Sequence, residues 1–146
     1  MRLTILAVGK VKERGIREAI DDYIARVARH FPLGEIELRD APPIELAATL
    51  EKKLPAATHV VALDAGGQTM TSEGFARWLD GRMSRGKGNV AFLIGGADGL
   101  PESIRARSDE TLSLSAMTLP HRLARLFLVE QLYRAVTILR NEPYAR

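Results

Sequence analysis

The sequence predicts an α/β fold, a mostly parallel sheet with helices on both faces, in one domain spanning residues 1–146. Three observations predict it. Short unbroken apolar runs alternate five times with stretches whose apolar residues recur every three to four positions. Proline or glycine punctuates most of the joins, and no repeat, low-complexity tract or linker interrupts the 146 residues. Parallel neighbours need a crossover of about a dozen residues, which the intervening helices supply, so both faces of such a sheet are covered.

The elements follow in order. Leu3 to Val8 reads as the first strand, and a helix from about Glu13 to Phe31 presents Ile16, Ile20, Tyr23, Ile24, Val27 and Phe31 on one face until Pro32 stops it. Ile36 to Leu38 sits in a short second strand. Pro42-Pro43 opens a helix through Leu54, ended by Pro55. Val60 to Leu63 is the third strand, and Ala65-Gly66-Gly67 reads as a turn. The next helix takes Thr71 or Ser72 as N-cap, buries Phe75, Leu79 and Met83, and ends at Gly86 and Gly88. Val90 to Ile94 is strand four, with Pro101 at the first position of a short helix. Thr111 to Leu114 is strand five, and a long helix runs to about Arg140. That last helix is apolar in almost every direction, from Leu123 through Phe127 and Leu132 to Leu139, so it wants partners on two sides. One is its own sheet; the other is expected to be a second subunit in a homodimer.

Composition narrows the setting. The longest apolar runs fall far short of the roughly 20 residues that span a bilayer, so no membrane association is expected. The N-terminal apolar run lacks a small-x-small cleavage site and reads as a strand. With no cysteine there is neither a disulfide nor a thiolate metal site, and the cytoplasm is the expected location. The net charge is only +3, but residues 1–29 carry seven basic side chains against four acids, and residues 121–146 carry five arginines against two. The two basic ends form either one anion-binding face or ordinary solvated helix surfaces.

In open parallel sheets, ligands bind beyond the carboxyl ends of the strands. Three segments stand there: Leu63-Asp64-Ala65-Gly66-Gly67, Gly95-Gly96-Ala97-Asp98-Gly99-Leu100, and Ser115-Ala116-Met117-Thr118-Leu119-Pro120-His121. Their glycines admit a ligand close to the backbone, and loop amides pair with adenine edges or ribose hydroxyls. No G-x-G-x-x-G follows the first strand and no G-x-x-x-x-G-K-[ST] occurs, which disfavours dinucleotide and triphosphate sites. There is no G-x-S-x-G, and His30, His59 and His121 lack metal-ligand spacing, so no metal is expected. His30 and His59 read as surface or structural residues. His121, after an apolar loop and before an arginine-rich helix start, either touches a substrate or caps the helix.

Leu93-Ile94-Gly95-Gly96-Ala97-Asp98-Gly99-Leu100, Ser113 to His121 and Glu130-Gln131-Leu132-Tyr133-Arg134-Ala135 resemble the ribosomal RNA large-subunit methyltransferase H family. Leu6 to Lys10 and Asn141-Glu142-Pro143-Tyr144 resemble it too, so the likeness covers essentially the whole chain. The departures are a short second crossover, Ala41 to Leu54, and a minimal tail. The resemblance implies a SPOUT fold with a C-terminal trefoil knot, which topology rules alone would not propose. It implies S-adenosyl-L-methionine held by Leu63, Gly95 and Gly96 and by Ser115, Ala116, Met117, Thr118, Leu119 and Pro120. It implies methylation at N3 of a pseudouridine in a stem-loop of 23S large-subunit rRNA, on the assembled ribosome.

Methyl transfer needs the nitrogen in line with the methyl group, about 3–3.5 Å away, and without its proton. His121 is a candidate base. Tyr144 and Arg146, beyond the last helix, are candidates to reach over the partner's cofactor. Lys10, Lys12, Arg17, Arg29, Arg122 and Arg125 are candidates for phosphate contacts, which position RNA without reading its sequence. Three rival readings remain: an idle RNA-binding module of the same fold, a flavodoxin-like nucleotide-binding enzyme, and a methyltransferase acting on tRNA or another rRNA site.

Overall fold

The computed structural model of the chain describes residues 1–85 and 88–145. The order is β1 (Leu3–Val8), α1 (Arg14–Ala28), β2 (Leu33–Leu38), α2 (Pro43–Lys53), β3 (Thr58–Thr69), α3 (Ser72–Ser84), β4 (Asn89–Ile94), α4 (Glu102–Arg107), β5 (Glu110–Ser113) and α5 (His121–Leu139), then a 3₁₀ turn, Pro143–Ala145. The strands lie in the order β2-β1-β4-β3-β5, and every pairing is parallel.

The unbroken apolar runs of β1 and β4 belong to the centre of the sheet, where both faces are covered. Side chains alternate across it. Leu3, Ile5, Ala7, Phe92 and Ile94 face the layer of α1, α3 and α5, whereas Leu6, Val8 and Leu93 face Leu46 and Leu50 of α2 and Leu100 and Ile104 near α4. Each fully buried Leu, Ile or Phe contributes about 1.5–3 kcal/mol.

Several boundaries differ from expectation for local reasons. α1 stops at Ala28, because Pro32 disfavours helical backbone at Phe31; the amides of His30 and Phe31 instead turn back to the Val27 carbonyl. Pro101 is the N-cap of α4, one place before its first residue. α3 has Thr71 as N-cap, whose hydroxyl accepts from the Gly74 amide at 2.9 Å. Met83 is only half-buried, and Trp78 packs on the core in its place, stacked on Phe75. Of the two glycines expected to end α3, Gly88 takes a φ of +98° and Gly86 lies outside the described residues.

Ala65-Gly66-Gly67 is not a turn between elements. β3 runs on to Thr69, and Leu112 of β5 pairs with both Leu63 and Gln68, so residues 64–67 bulge out of an otherwise continuous ladder. Gly67 is needed for closeness: a Cβ there would lie 2.7 Å from the backbone of Thr111.

α5 packs between α1 and α3 on the sheet. Those two helices of the same chain cover much of its many-sided apolar surface. Leu123 and Phe127 remain exposed. A reversal ends the helix: Asn141 takes a φ of +54°, its amide donates to the Ile138 carbonyl, and the Glu142 amide donates to the Thr137 carbonyl at 2.8 Å.

Candidate active site

A cavity of about 300 Å³ opens at the carboxyl edge of the sheet, beside the ends of β4 and β5 and the bulge in β3. Leu63, Gly95, Gly96, Ser115, Met117, Thr118, Leu119 and Pro120, all expected at a ligand, line it. Ala116 is not among its walls. Asp64, Ala65, Ala97 and Gly99, from the segments expected behind the strands, line it too, and so do Leu114 and Ala124, which sequence reasoning did not place at a ligand.

Each wall has a local cause. The β4 loop folds on itself through a Gly99 amide to Gly96 carbonyl bond of 3.0 Å. A Cβ on Gly95 would come 2.6 Å from the Leu100 nitrogen, so a side chain there would force the loop open. In the segment after β5, the Ser113 hydroxyl donates to the Ser115 carbonyl, and the Ser115 hydroxyl accepts from the Met117 amide, both at 3.0 Å. Pro120 then caps α5, which puts His121 at the first helical position and in the cavity wall.

Asp64 and His121 are the two ionisable side chains among the described walls. Asp64 accepts from the Gly66 amide at 3.3 Å and lies 3.6 Å from Arg105. Burial first, and then the charges of Arg125 and Arg122, hold His121 below the usual histidine range, against the weaker pull of Glu13 and Glu37. The imidazole is therefore neutral near pH 7.

A family described as Predicted SPOUT methyltransferase matches residues 1–145. The chain belongs to the SPOUT methyltransferase family. Relatives named ribosomal RNA large subunit methyltransferase H resemble it along nearly their whole length. The one from Sorangium cellulosum is 51% identical over 145 residues, 99% of each chain. The one from Gemmatimonas aurantiaca is 44% identical over 153 residues, again 99% of each. Among solved structures, the SpoU methyltransferase AviRb from Streptomyces viridochromogenes, in complex with the cofactor AdoMet, superposes with a TM-score of 0.49 at 16% identity, over 91% of this chain and 57% of that one.

In this SPOUT methyltransferase the six expected phosphate contacts separate into three groups. Lys10 and Lys12 are exposed in the loop after β1, whose Gly9 lies against the cavity residue His121, and Arg122 is half-exposed in an ion pair with Glu13. Arg29 is exposed at the far end of α1, about 20 Å away along the helix axis. Arg17 is held by Asp21 at 2.7 Å, Glu35 at 2.5 Å and Glu37 at 3.3 Å, which leaves little charge for RNA. Arg125 is corrected outright: it is 0% exposed and bound to Glu35, Glu37 and the Gly9 carbonyl, so phosphate cannot reach it.

Tyr144 lies away from the cavity of its own chain. Its hydroxyl donates to Glu130 and accepts from the Tyr23 hydroxyl, both at 2.8 Å, and its ring packs on Tyr133 beside Arg134. Burial, followed by the bonds to Tyr23 and Glu130, pushes its phenol well above the usual tyrosine range, so it stays neutral. Arg146 lies outside the described residues.

Proposed function

We propose that this SPOUT methyltransferase binds S-adenosyl-L-methionine in the cavity and methylates large-subunit rRNA, at N3 of a pseudouridine in a 23S stem-loop on the assembled ribosome. The observation that carries the reading is the cavity itself. The family's glycine loop and the 115–120 segment, distant in sequence, close on one space of about 300 Å³, at the lower end of the size range for small-ligand sites. The relatives named for ribosomal RNA large-subunit methylation, at 51% and 44% identity over nearly full length, favour that RNA over tRNA.

The residues present fit the cofactor. A Cβ on Gly95 would strike the Gly99–Leu100 backbone and one on Gly96 would press on Val8, so these glycines let the loop close as a wall of the cavity, and Leu63, Leu119 and Pro120 give an apolar lining. Bound there, S-adenosylmethionine supplies an electrophilic methyl carbon. The chain's own work is to hold the target nitrogen in line and to exclude water, which is positioning more than acid–base chemistry. Lys10, Lys12 and Arg122 stand where phosphates flanking a base in the cavity would pass. Met117, Leu123 and Phe127, exposed at the cavity end of α5, support a homodimer joined there. Tyr144 and Arg146 are assigned to the base across that dimer, the C-terminal knot belongs to the same reading, and a ribosomal target places the enzyme in the cytoplasm.

The test is methyl transfer from labelled S-adenosylmethionine to assembled ribosomes, free rRNA and tRNA, comparing wild type with Gly95→Ala. Incorporation on ribosomes, mapped to one pseudouridine and lost in the variant together with cofactor binding, is the expected result. A wild type that binds the cofactor and labels tRNA alone overturns the substrate, and one that fails to bind the cofactor overturns the site.

A further inference from the structure

Arg125 has no access to solvent, and a guanidinium can only donate. Its two terminal nitrogens carry four N–H groups, and each meets a partner. Nη1 lies 2.6 Å from Glu37 Oε2 and 3.1 Å from Glu35 Oε2; Nη2 lies 2.8 Å from the Gly9 carbonyl and 3.4 Å from His121 Nδ1. Because Arg125 offers no lone pair, the imidazole nitrogen facing it is the acceptor. Nδ1 is therefore bare, and the proton of the neutral ring sits on Nε2.

The ring is also fixed in place. Gly9, with a φ of +98°, lies against it so closely that a Cβ there would come 3.1 Å from Cε1 and 3.3 Å from Nε2. Glu35 and Glu37 hold the guanidinium from β2, and Arg17 ties the same two carboxylates to α1. Nε2 has no hydrogen-bond partner among the described residues, while His121 lines the cavity.

We propose that Arg125 is a positioning residue that holds His121 in its Nε2–H tautomer, so that His121 meets the substrate as a hydrogen-bond donor and not as its base. The inference rests on the methyl-transfer reading above. The acceptor it fits is a carbonyl oxygen, the group that flanks the ring nitrogen of a uracil-type base on either side. When that nitrogen loses its proton to solvent, the electron pair left behind is shared with the oxygen, and an N–H already aimed at the oxygen stabilises the anion. His121 itself neither gains nor loses a proton. The charges facing it, Arg125 and Arg122 against Glu13 and Glu37, favour the neutral ring.

Two measurements decide the matter. Long-range ¹H–¹⁵N spectra of protein labelled at histidine nitrogen, recorded without cofactor and assigned with His121→Gln, read the tautomer directly. The expected result at neutral pH is a protonated Nε2 and a bare Nδ1 in wild type, shifting to a mixture in Arg125→Lys; a proton on Nδ1 in wild type overturns the proposal. In the second, methyl transfer is followed for His121→Gln, whose amide nitrogen replaces the Nε2 donor, and for His121→Ala. Gln is expected to retain activity within about tenfold, and Ala to lose about a hundredfold or more. Gln as inactive as Ala, with an acid limb in the wild-type kcat profile that the variant abolishes, identifies a base and overturns the proposal. A wild type inactive on every RNA defeats the methyl-transfer reading instead, and the spectra still decide the tautomer.

Discussion

Two histidines stand at opposite edges of the sheet in opposite company. His59, near the start of β3, has Nε2 on Glu110 and Nδ1 3.9 Å from Asp109; Glu110 also accepts from the Trp78 indole at 3.0 Å. Both of its nitrogens face carboxylates, and the cluster closes on itself. His121, at the other edge, is flanked by arginines, has one nitrogen occupied by Arg125 and the other without a partner among the described residues, and lines a cavity. Burial and residue type do not separate the two. The sign of the neighbouring charge and the donor left over do, and they mark His59 as a strut and His121 as a contact.

The largest expected effect breaks the charged support beneath His121. Arg125→Ala leaves Glu35 and Glu37 with Arg17 alone beside the space it vacates, and because both also keep some solvent access the loss is about 3 kcal/mol, at the low end for a broken buried pair. Urea unfolding measures it. His59→Ala is expected to cost about 1–2 kcal/mol by leaving Glu110 with Trp78 alone, yet to leave cofactor affinity and methyl transfer per folded molecule unchanged. A fall in the rate there would erase the distinction between the two edges.

Acid tests the same contrast. Burial alone would raise the Glu37 carboxyl, but the Arg125 bond and charge, the Val11 amide and Arg17 outweigh it and hold Glu37 below the usual range. Its contribution is present above the unfolded carboxyl value, about 4.3, and is lost as pH falls through the folded one. His121, also lowered, acts in the same sense at higher pH: below about 6.5 the unfolded chain takes up a proton that the folded chain refuses, so stability declines. Urea midpoints across acidic pH should therefore fall less steeply in Glu37→Gln than in wild type below about pH 5. Smallest of all, Lys10→Ala and Lys12→Ala should each change stability by no more than about 0.5 kcal/mol while lowering the salt dependence of ribosome association by about one counterion. Arg29→Ala, at the far end of α1, should leave that slope unchanged.

The order of elements was legible because β1 and β4 are covered on both faces and must be apolar throughout, while α1 needs only a stripe. The continuation of β3 was not, since Gly66-Gly67 reads as a turn when the requirement is passage beside Thr111. The cavity loops were legible through family resemblance and their place behind strands. Arg125 was misread because an arginine among Arg122 and other basic residues looks solvated. Its burial depends on two carboxylates of β2, 88 and 90 residues away in the chain, and a sequence does not display that pairing. α5 was legible only in part, since apolar residues on every side signal several neighbours without saying whether they belong to the same chain.

The bond from Arg125 to the Gly9 carbonyl joins residues 116 positions apart. Its consequence concerns synthesis. Until α5 has left the ribosome, the loop after β1 has no anchor, the cavity lacks its β5–α5 wall, and the face of the sheet between α1 and α3 lies open. Such distant contacts form late, after the loops between them close. A chain without α5 therefore has neither a cofactor site nor a finished core, and the two are completed together when α5 docks.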